Sequence, residues 1–255
     1  MVAIARTRSF IDHASAARPM LGALGILVQR EQSVAQIVLD HPRCARIFVE
    51  RGIDFCCRGG MSLAEACSQR GIEEDTVLAE LEAAAAGEAP PSGRNDPRTL
   101  SNLQLVAHVV DQHHLYLRKT LPLLELLAGR VADAHAQRRP SLTTLHTAIH
   151  NLRVMLERHL DEEETVVFPL LVSGEVGSER ARRELASMQE DHLEVGDVLR
   201  ELRLLTDGFL PPPWACNTYR ALMAELEALE RDTFEHVHLE NNVLAPRFGA
   251  SPGDG

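Results

Sequence analysis

The chain has 255 residues and carries 37 acidic against 26 basic side chains, a formal charge of −11 at pH 7. A surface this acidic is not built to neutralise phosphates, so nucleic acid is not an expected partner. No apolar run reaches the roughly 18 residues of a membrane span, which excludes a membrane-spanning reading.

Aromatics make up only 4% of the chain while Leu, Ala, Glu and Arg abound, and no stretch alternates apolar with polar residues. That composition predicts an all-α protein. Five cysteines without the spacing of a disulfide framework fit a reducing compartment. The first 25 residues lack a basic start, an apolar core and a small-residue cleavage site in succession, so the expected location is cytoplasmic.

In chain order, residues 1–30 read as an N-terminal extension, expected to be poorly ordered. Helical patterns at 34–52, 62–71 and 73–86 predict a small helical domain over residues 31–86. A unit of this size buries little core by itself, and a homodimer is one way for it to gain more. Within it, residues 48–60 read FVERGIDFCCRGG, with Cys56 and Cys57 adjacent.

Neighbouring cysteines rarely form a relaxed disulfide with each other. Arg58 and the amides of a Gly59-Gly60 turn can lower a thiol pKa and make either cysteine a redox group or a soft-metal ligand. Two small residues buried at a helix end is the equally weighted alternative. Cys44, Cys67 and Cys216 are expected to be buried and structural.

Residues 87–98, holding Gly87, Pro90, Pro91, Ser92, Gly93 and Pro97, predict a linker. Beyond it, residues 99–248 carry four long segments with apolar residues at alternating steps of three and four, the pattern of an up-down-up-down four-helix bundle. Residues 249–255 are expected to be a flexible tail.

The first stripe runs Leu103, Ala107, Val110, His114, Leu117, Leu121, Leu124, Ala128. The second runs Leu145, Ile149, Leu152, Leu156, His159, Glu163, Val166, Leu170. A plausible Ser178 cap opens the third: Ala181, Leu185, Met188, His192, Val195, Leu199, Leu202, Thr206. The fourth is Tyr219, Leu222, Leu226, Leu229, Thr233, His236, Glu240, Val243.

Every stripe therefore carries one histidine, and two carry a glutamate four residues later, one helical turn away on the same face. A single histidine on an apolar face is more often a hydrogen-bonded core residue than a ligand. Four on four helices at one depth, with two glutamates, reverse that preference, because burying six such groups unsatisfied would cost several kcal/mol each. A two-metal site satisfies them. The mixed nitrogen and oxygen set suits iron, manganese or zinc, and iron leads because an open coordination position remains where zinc favours four-coordinate closure. His108, His113, His135, His146, His150 and His238 fall off the stripes and are expected at the surface or as hydrogen-bond partners of ligands.

The fragments GIDFCCRGG, Leu121-Pro122 on the His114 helix, HLDEEETVVFP from His159, the His192 helix, PPPWAC from Pro211 and EHVHLENNVLAPR occur together in this order. Over about residues 33–248 the chain resembles the iron-sulfur cluster repair di-iron proteins, the repair of iron centres family, which join a short cysteine-bearing domain to a hemerythrin-like bundle.

The resemblance implies two non-haem iron ions in an oxo- or carboxylate-bridged centre, bound by His114, His159, His192 and His236 and bridged by Glu163 and Glu240. It implies repair of iron-sulfur clusters damaged by nitric oxide or peroxide, with Cys56 and Cys57 as redox or iron-transfer thiols. The implied partners are damaged or apo iron-sulfur proteins, with nitric oxide or oxygen species as small ligands. Iron donation, redox activity toward nitric oxide, or both would carry the repair.

Respiratory hemerythrins carry a further histidine where Gly196 stands and an aspartate where Asn241 stands, so reversible oxygen carriage is not the expected activity. The competing reading is a nitric oxide or oxygen sensor or scavenger that acts through a partner. A ferritin-like oxidase ranks last, since it expects Glu-x-x-His rather than His-x-x-x-Glu.

Overall fold

Pro42 divides what the pattern at 34–52 predicts as one helix. Proline lacks an N–H and pushes the residue before it out of the helical region, and His41 accordingly adopts φ −137° and ψ 79°. In the computed structural model, which describes residues 28–86, 91–93 and 96–249, the segment forms α1 (Val34–Asp40) and α2 (Cys44–Arg51). Most of the expected N-terminal extension, linker residues 87–90 and 94–95, and tail residues 250–255 lie outside the described residues.

The helices α3 (Leu63–Arg70) and α4 (Glu74–Ala85) complete the small unit. Ser33 caps α1 by accepting from the Gln36 amide, and Ser62 with Glu65 forms a capping box on α3. The core of the unit, built on Val34, Ile37, Phe48, Phe55, Leu63, Val77 and Leu81, is continuous with Val237 and Phe234 of the bundle. The small unit thus completes its core on the bundle of its own chain.

The first bundle helix is α5 (Asn102–Val109), a π-helical turn (Val110–His114) and α6 (Leu115–His135). The second is α7 (Ser141–Glu162), a π turn (Glu163–Val167) and α8 (Phe168–Ser173). The third is α9 (Glu179–Leu205), opened by the Ser178 hydroxyl accepting from the Ala181 amide at 3.0 Å. The fourth is α10 (Asn217–Leu239) with a π turn (Glu240–Leu244).

Two apolar clusters fill the bundle, one around Leu117, Leu145, Leu199 and Leu222, the other around Leu105, Leu171, Leu185 and Val243. The first and third helices run from the second cluster into the first, and the second and fourth run back. That alternation is the up-down-up-down order, and the histidine level lies between the clusters.

The third and fourth stripes are buried along their whole length, whereas the first fails before His114. Leu103 is 65% exposed, and Leu105 and Val109 point inward instead. The π turn is the reason: its i to i−5 bond, Leu115 amide to Val110 carbonyl, adds a residue to the turn and shifts the phase upstream. Val166 is displaced in the same way, and Val167 and Phe168 take the buried positions.

Both His-x-x-x-Glu pairs are followed by a proline six residues after the glutamate, Pro169 after Glu163 and Pro246 after Glu240. Proline has no N–H for an i−4 bond and crowds that carbonyl. The chain closes instead with i−5 bonds, Phe168 to Glu163 and Ala245 to Glu240.

Candidate metal centre

Three of the six expected ligands sit at π turns: His114 at the end of one, Glu163 and Glu240 at the start of the others. His159 and His236 lie one turn before their glutamates, and His192 lies midway along α9. All six are at most 2% exposed. They converge into two groups, His114 with His236 and His159 with His192, and both groups include Glu163 and Glu240.

Within each pair the imidazoles meet Nε2 to Nε2 at 3.1 Å. Glu163 places Oε1 3.1 Å from His159 Nε2 and Oε2 3.4 Å from His114 Nε2. Glu240 places Oε1 2.9 Å from His236 Nε2 and Oε2 3.2 Å from His192 Nε2. Each carboxylate therefore spans both pairs, one oxygen to each.

The outer nitrogens orient the rings. His114 Nδ1 meets Glu164 at 2.9 Å, His192 Nδ1 meets Asn241 Oδ1 at 2.9 Å, and His159 Nδ1 meets Asp191 at 3.4 Å. An amide oxygen or carboxylate only accepts, so the proton of a neutral ring sits on Nδ1 and its Nε2 is a bare lone pair. With both rings neutral, the form that binds a cation, His159 and His192 aim two lone pairs at each other across 3.1 Å. The four oxygens of Glu163 and Glu240 are buried and find no hydrogen-bond donor. Converging lone pairs and orphaned buried carboxylates are the donor set of a cation site, and the residues fit a pair of metal ions with mixed nitrogen and oxygen ligation.

The carboxylates dominate the electrostatics. Burial opposes charging of His114, but Glu163 and Glu240 outweigh it and hold its pKa up to about 10. His159 is likewise raised to about 9 against its burial, by Glu163 and Asp191. His192 is raised by the same two glutamates, while for His236 burial prevails and lowers it. Burial pushes Glu163 and Glu240 up, and the Glu240 charge adds to this at Glu163, yet the imidazoles prevail and keep both below the ordinary carboxylate range.

The vicinal cysteines lie in the loop after α2, free and unbridged, with sulfurs 3.6 Å apart. Asp54 organises this loop: its Oδ1 accepts from the amides of Cys56 at 3.1 Å, Cys57 at 2.8 Å and Arg58 at 3.4 Å. Cys56 is buried, whereas Cys57 is partly accessible and directs its thiol to the backbone carbonyl of His192 at 3.6 Å. The thiols line a cavity of about 130 Å³ together with Phe55, Arg70 and Gly196.

The expectation that Arg58 depresses a thiol pKa is corrected for Cys56. Arg58 is exposed, and Cys57, burial and Asp54 raise the Cys56 thiol well above its ordinary range. Cys44 and Cys67 are buried as expected, but Cys216 is exposed, because it caps α10 at the bundle surface beside His135.

Of the off-stripe histidines, His113 is buried, bonded to Asp232 at 3.0 Å and stacked on His236. His238 is buried at the junction with the small unit, its Nδ1 donating to the Phe55 carbonyl at 3.3 Å. Sequence reasoning missed Asp54, Glu164 and Asp191, and noted Asn241 only as an absent ligand. Asp54 and Asp191 had a signal in their placement, short acidic residues just before the Cys pair and His192.

Residues 105–248 match the family described as the Hemerythrin HHE cation binding domain, and residues 30–85 match a domain of unknown function. The iron-sulfur cluster repair protein YtfE of Edwardsiella ictaluri is 34% identical over 221 residues, spanning 87% of this chain and 98% of that protein. YtfE of Pectobacterium atrosepticum is 33% identical over 224 residues, with the same shares of each chain. The iron-sulfur cluster repair protein ScdA of Staphylococcus haemolyticus is 32% identical over 226 residues, spanning 87% of this chain and all of its own. A metal-binding helical bundle joined to a small cysteine-bearing unit, similar to these relatives over nearly their whole length, belongs to the iron-sulfur cluster repair protein family.

Proposed function

We infer that this protein restores damaged iron-sulfur clusters, using two iron ions held between the His114–His236 and His159–His192 pairs with Glu163 and Glu240 as bridges. The observation that carries this reading is the placement of the Cys57 thiol on the carbonyl of His192, which brings a soft-metal donor against the backbone of a ligand. Iron bound there supplies redox chemistry and exchangeable coordination positions.

The chain's own residues supply the rest. Glu164, Asp191 and Asn241 hold three rings with Nε2 turned inward, and Glu163 and Glu240 tie the two positions into one unit. Cys56 and Cys57, in the wall of a cavity, are the thiols a released metal would meet first. Damaged or apo iron-sulfur proteins are the acceptors in this reading, and the names of the relatives favour it over a gas sensor.

The test uses the iron-loaded full chain mixed with an iron-sulfur enzyme inactivated by nitric oxide. Recovery of enzyme activity, with loss of iron from the bundle, is expected for wild type. Cys56→Ser with Cys57→Ser should keep its iron and lose the recovery. Repair by this double variant at the wild-type rate would refute the thiol role, and a protein without iron would refute the centre.

A further inference from the structure

His192 and the thiol loop are joined twice, once through a side chain and once through the backbone. On the side-chain path, His192 Nδ1 donates to Asn241 Oδ1 at 2.9 Å, and Asn241 Nδ2 donates to the Cys56 carbonyl at 3.2 Å. The carbonyl can only accept, which fixes the orientation of the amide. On the return path the Cys57 thiol donates to the His192 carbonyl at 3.6 Å.

The residue type is specific to this juxtaposition. An aspartate at 241 could accept from His192 but would set an oxygen against the Cys56 carbonyl. An apolar side chain would do neither. Only a side chain with an acceptor and a donor at one end bridges an imidazole N–H and a carbonyl at these distances. Asn242 adds a second, separate hold on the same carbonyl, its Nδ2 donating to Cys56 O at 3.3 Å and to His238 O at 3.1 Å rather than reaching one of the four inward-facing rings.

We propose that Asn241 is a positioning residue that couples His192 to the Cys56-Cys57 loop, so that engagement of His192 Nε2 by a metal sets the reactivity of Cys57. This rests on the metal reading above. When a cation draws on Nε2, the ring becomes a stronger Nδ1–H donor. The Asn241 amide is polarised in turn and grips the Cys56 carbonyl more tightly, as hydrogen bonds in series do. The loop thiols are held against the bundle while the centre is filled and loosen when it empties. By linkage, a change at the thiols is felt at the metal.

The full chain, iron-loaded and chelator-treated, is labelled with iodoacetamide, and the Cys57 peptide is quantified by mass spectrometry alongside iron content and circular dichroism. Wild type should label more slowly with iron than without. Asn241→Asp, nearly isosteric, should bind iron yet label about two- to tenfold faster in the loaded form, the range that one hydrogen bond is worth. Its labelling should no longer depend on iron. Asn242→Ala should label faster while keeping the iron dependence. In reverse, alkylation should shift the optical spectrum of the loaded wild type and leave that of Asn241→Asp unmoved.

The proposal is overturned if Asn241→Asp keeps the wild-type iron dependence, or if Asn242→Ala abolishes it equally. Should Asn241→Asp fail to fold, wild type decides: equal labelling rates with and without iron would refute the coupling. A wild-type chain that takes up no iron would refute the metal reading instead. In that metal-free protein, equal labelling of wild type and Asn241→Asp would still refute Asn241 as the residue that holds the loop.

Discussion

Glu163 and Glu240 lie across the same two imidazole pairs from opposite sides of the bundle, each with one oxygen toward His114 or His236 and the other toward His159 or His192. Neither carboxylate serves one imidazole pair alone. Replacement of either by glutamine, which removes the bridging charge but keeps the volume, should therefore empty both positions. Iron per chain, measured by plasma emission spectrometry, should fall toward zero for Glu240→Gln. Retention of one full equivalent would show that the carboxylate serves a single position. Glu164, which meets the outer nitrogen of His114 and the Arg118 guanidinium but not the inward nitrogens, is the contrast: Glu164→Ala should weaken affinity by about 10- to 100-fold and leave the stoichiometry recoverable at high iron.

Phe55 fastens the small unit to the bundle. Its ring lies 6.1 Å from Phe48 within the unit, and 6.3 Å from Phe234 and 5.3 Å from His238 on α10. Phe55→Ala should cost about 3–5 kcal/mol in urea unfolding, the usual cost of truncating a buried aromatic. It should also speed proteolysis in the small unit before the bundle is cut. A loss below 1 kcal/mol would mean that the two units are held by something other than this junction.

Gly196 lies on α9 at the cavity that the thiols line, and a Cβ added there meets no heavy atom within 4 Å. Gly196→Ala should stabilise the protein by about 0.5–1 kcal/mol through helix propensity alone, read from the thermal midpoint. Gly196→Leu should fill part of the cavity, leave iron content unchanged and slow alkylation of Cys57. Unchanged alkylation would show that reagents reach the thiols by another route.

Cys216 and Cys56 should respond oppositely to pH. Hydrogen bonding from His135, 3.2 Å from the sulfur, and from the amides at the start of α10 lowers the Cys216 pKa below its ordinary value of 9.0, whereas Cys56 is raised. A lowered thiol pKa means more thiolate at neutral pH, and the thiolate is the nucleophile. At pH 7.5 Cys216 should be alkylated well before Cys56, with a rate midpoint below 9.0. His135→Ala should move that midpoint upward and slow labelling at pH 7.5. If the midpoint does not move, the helix amides alone set it.

Much of the candidate metal centre is legible in the sequence. From His114 onward the first stripe, and all of the third and fourth, repeat with the 3.6-residue period that a buried helix face imposes. A histidine and a glutamate four apart must share that face. The six candidate ligands follow from local periodicity together with the cost of burying such groups unpaired. The phase upstream of His114 is not legible, because a π turn adds a residue without marking the composition, so the pattern points Leu103 inward where the structure exposes it. The Glu-x5-Pro repeat does mark two of the π turns.

The sequence by itself determined the four bundle helices, most of their stripes and the six candidate side chains, since these depend on hydrogen bonds and burial within a few turns. Only the tertiary structure decided that His114 pairs with His236 and His159 with His192, because helix order around a bundle is set by packing between distant segments. It alone brought Cys57 to His192, 135 residues away, and placed Asn241 between the ring and the loop. Those relationships depend on docking the small unit, whose core is continuous with Val237 and Phe234, onto the apolar face of α10.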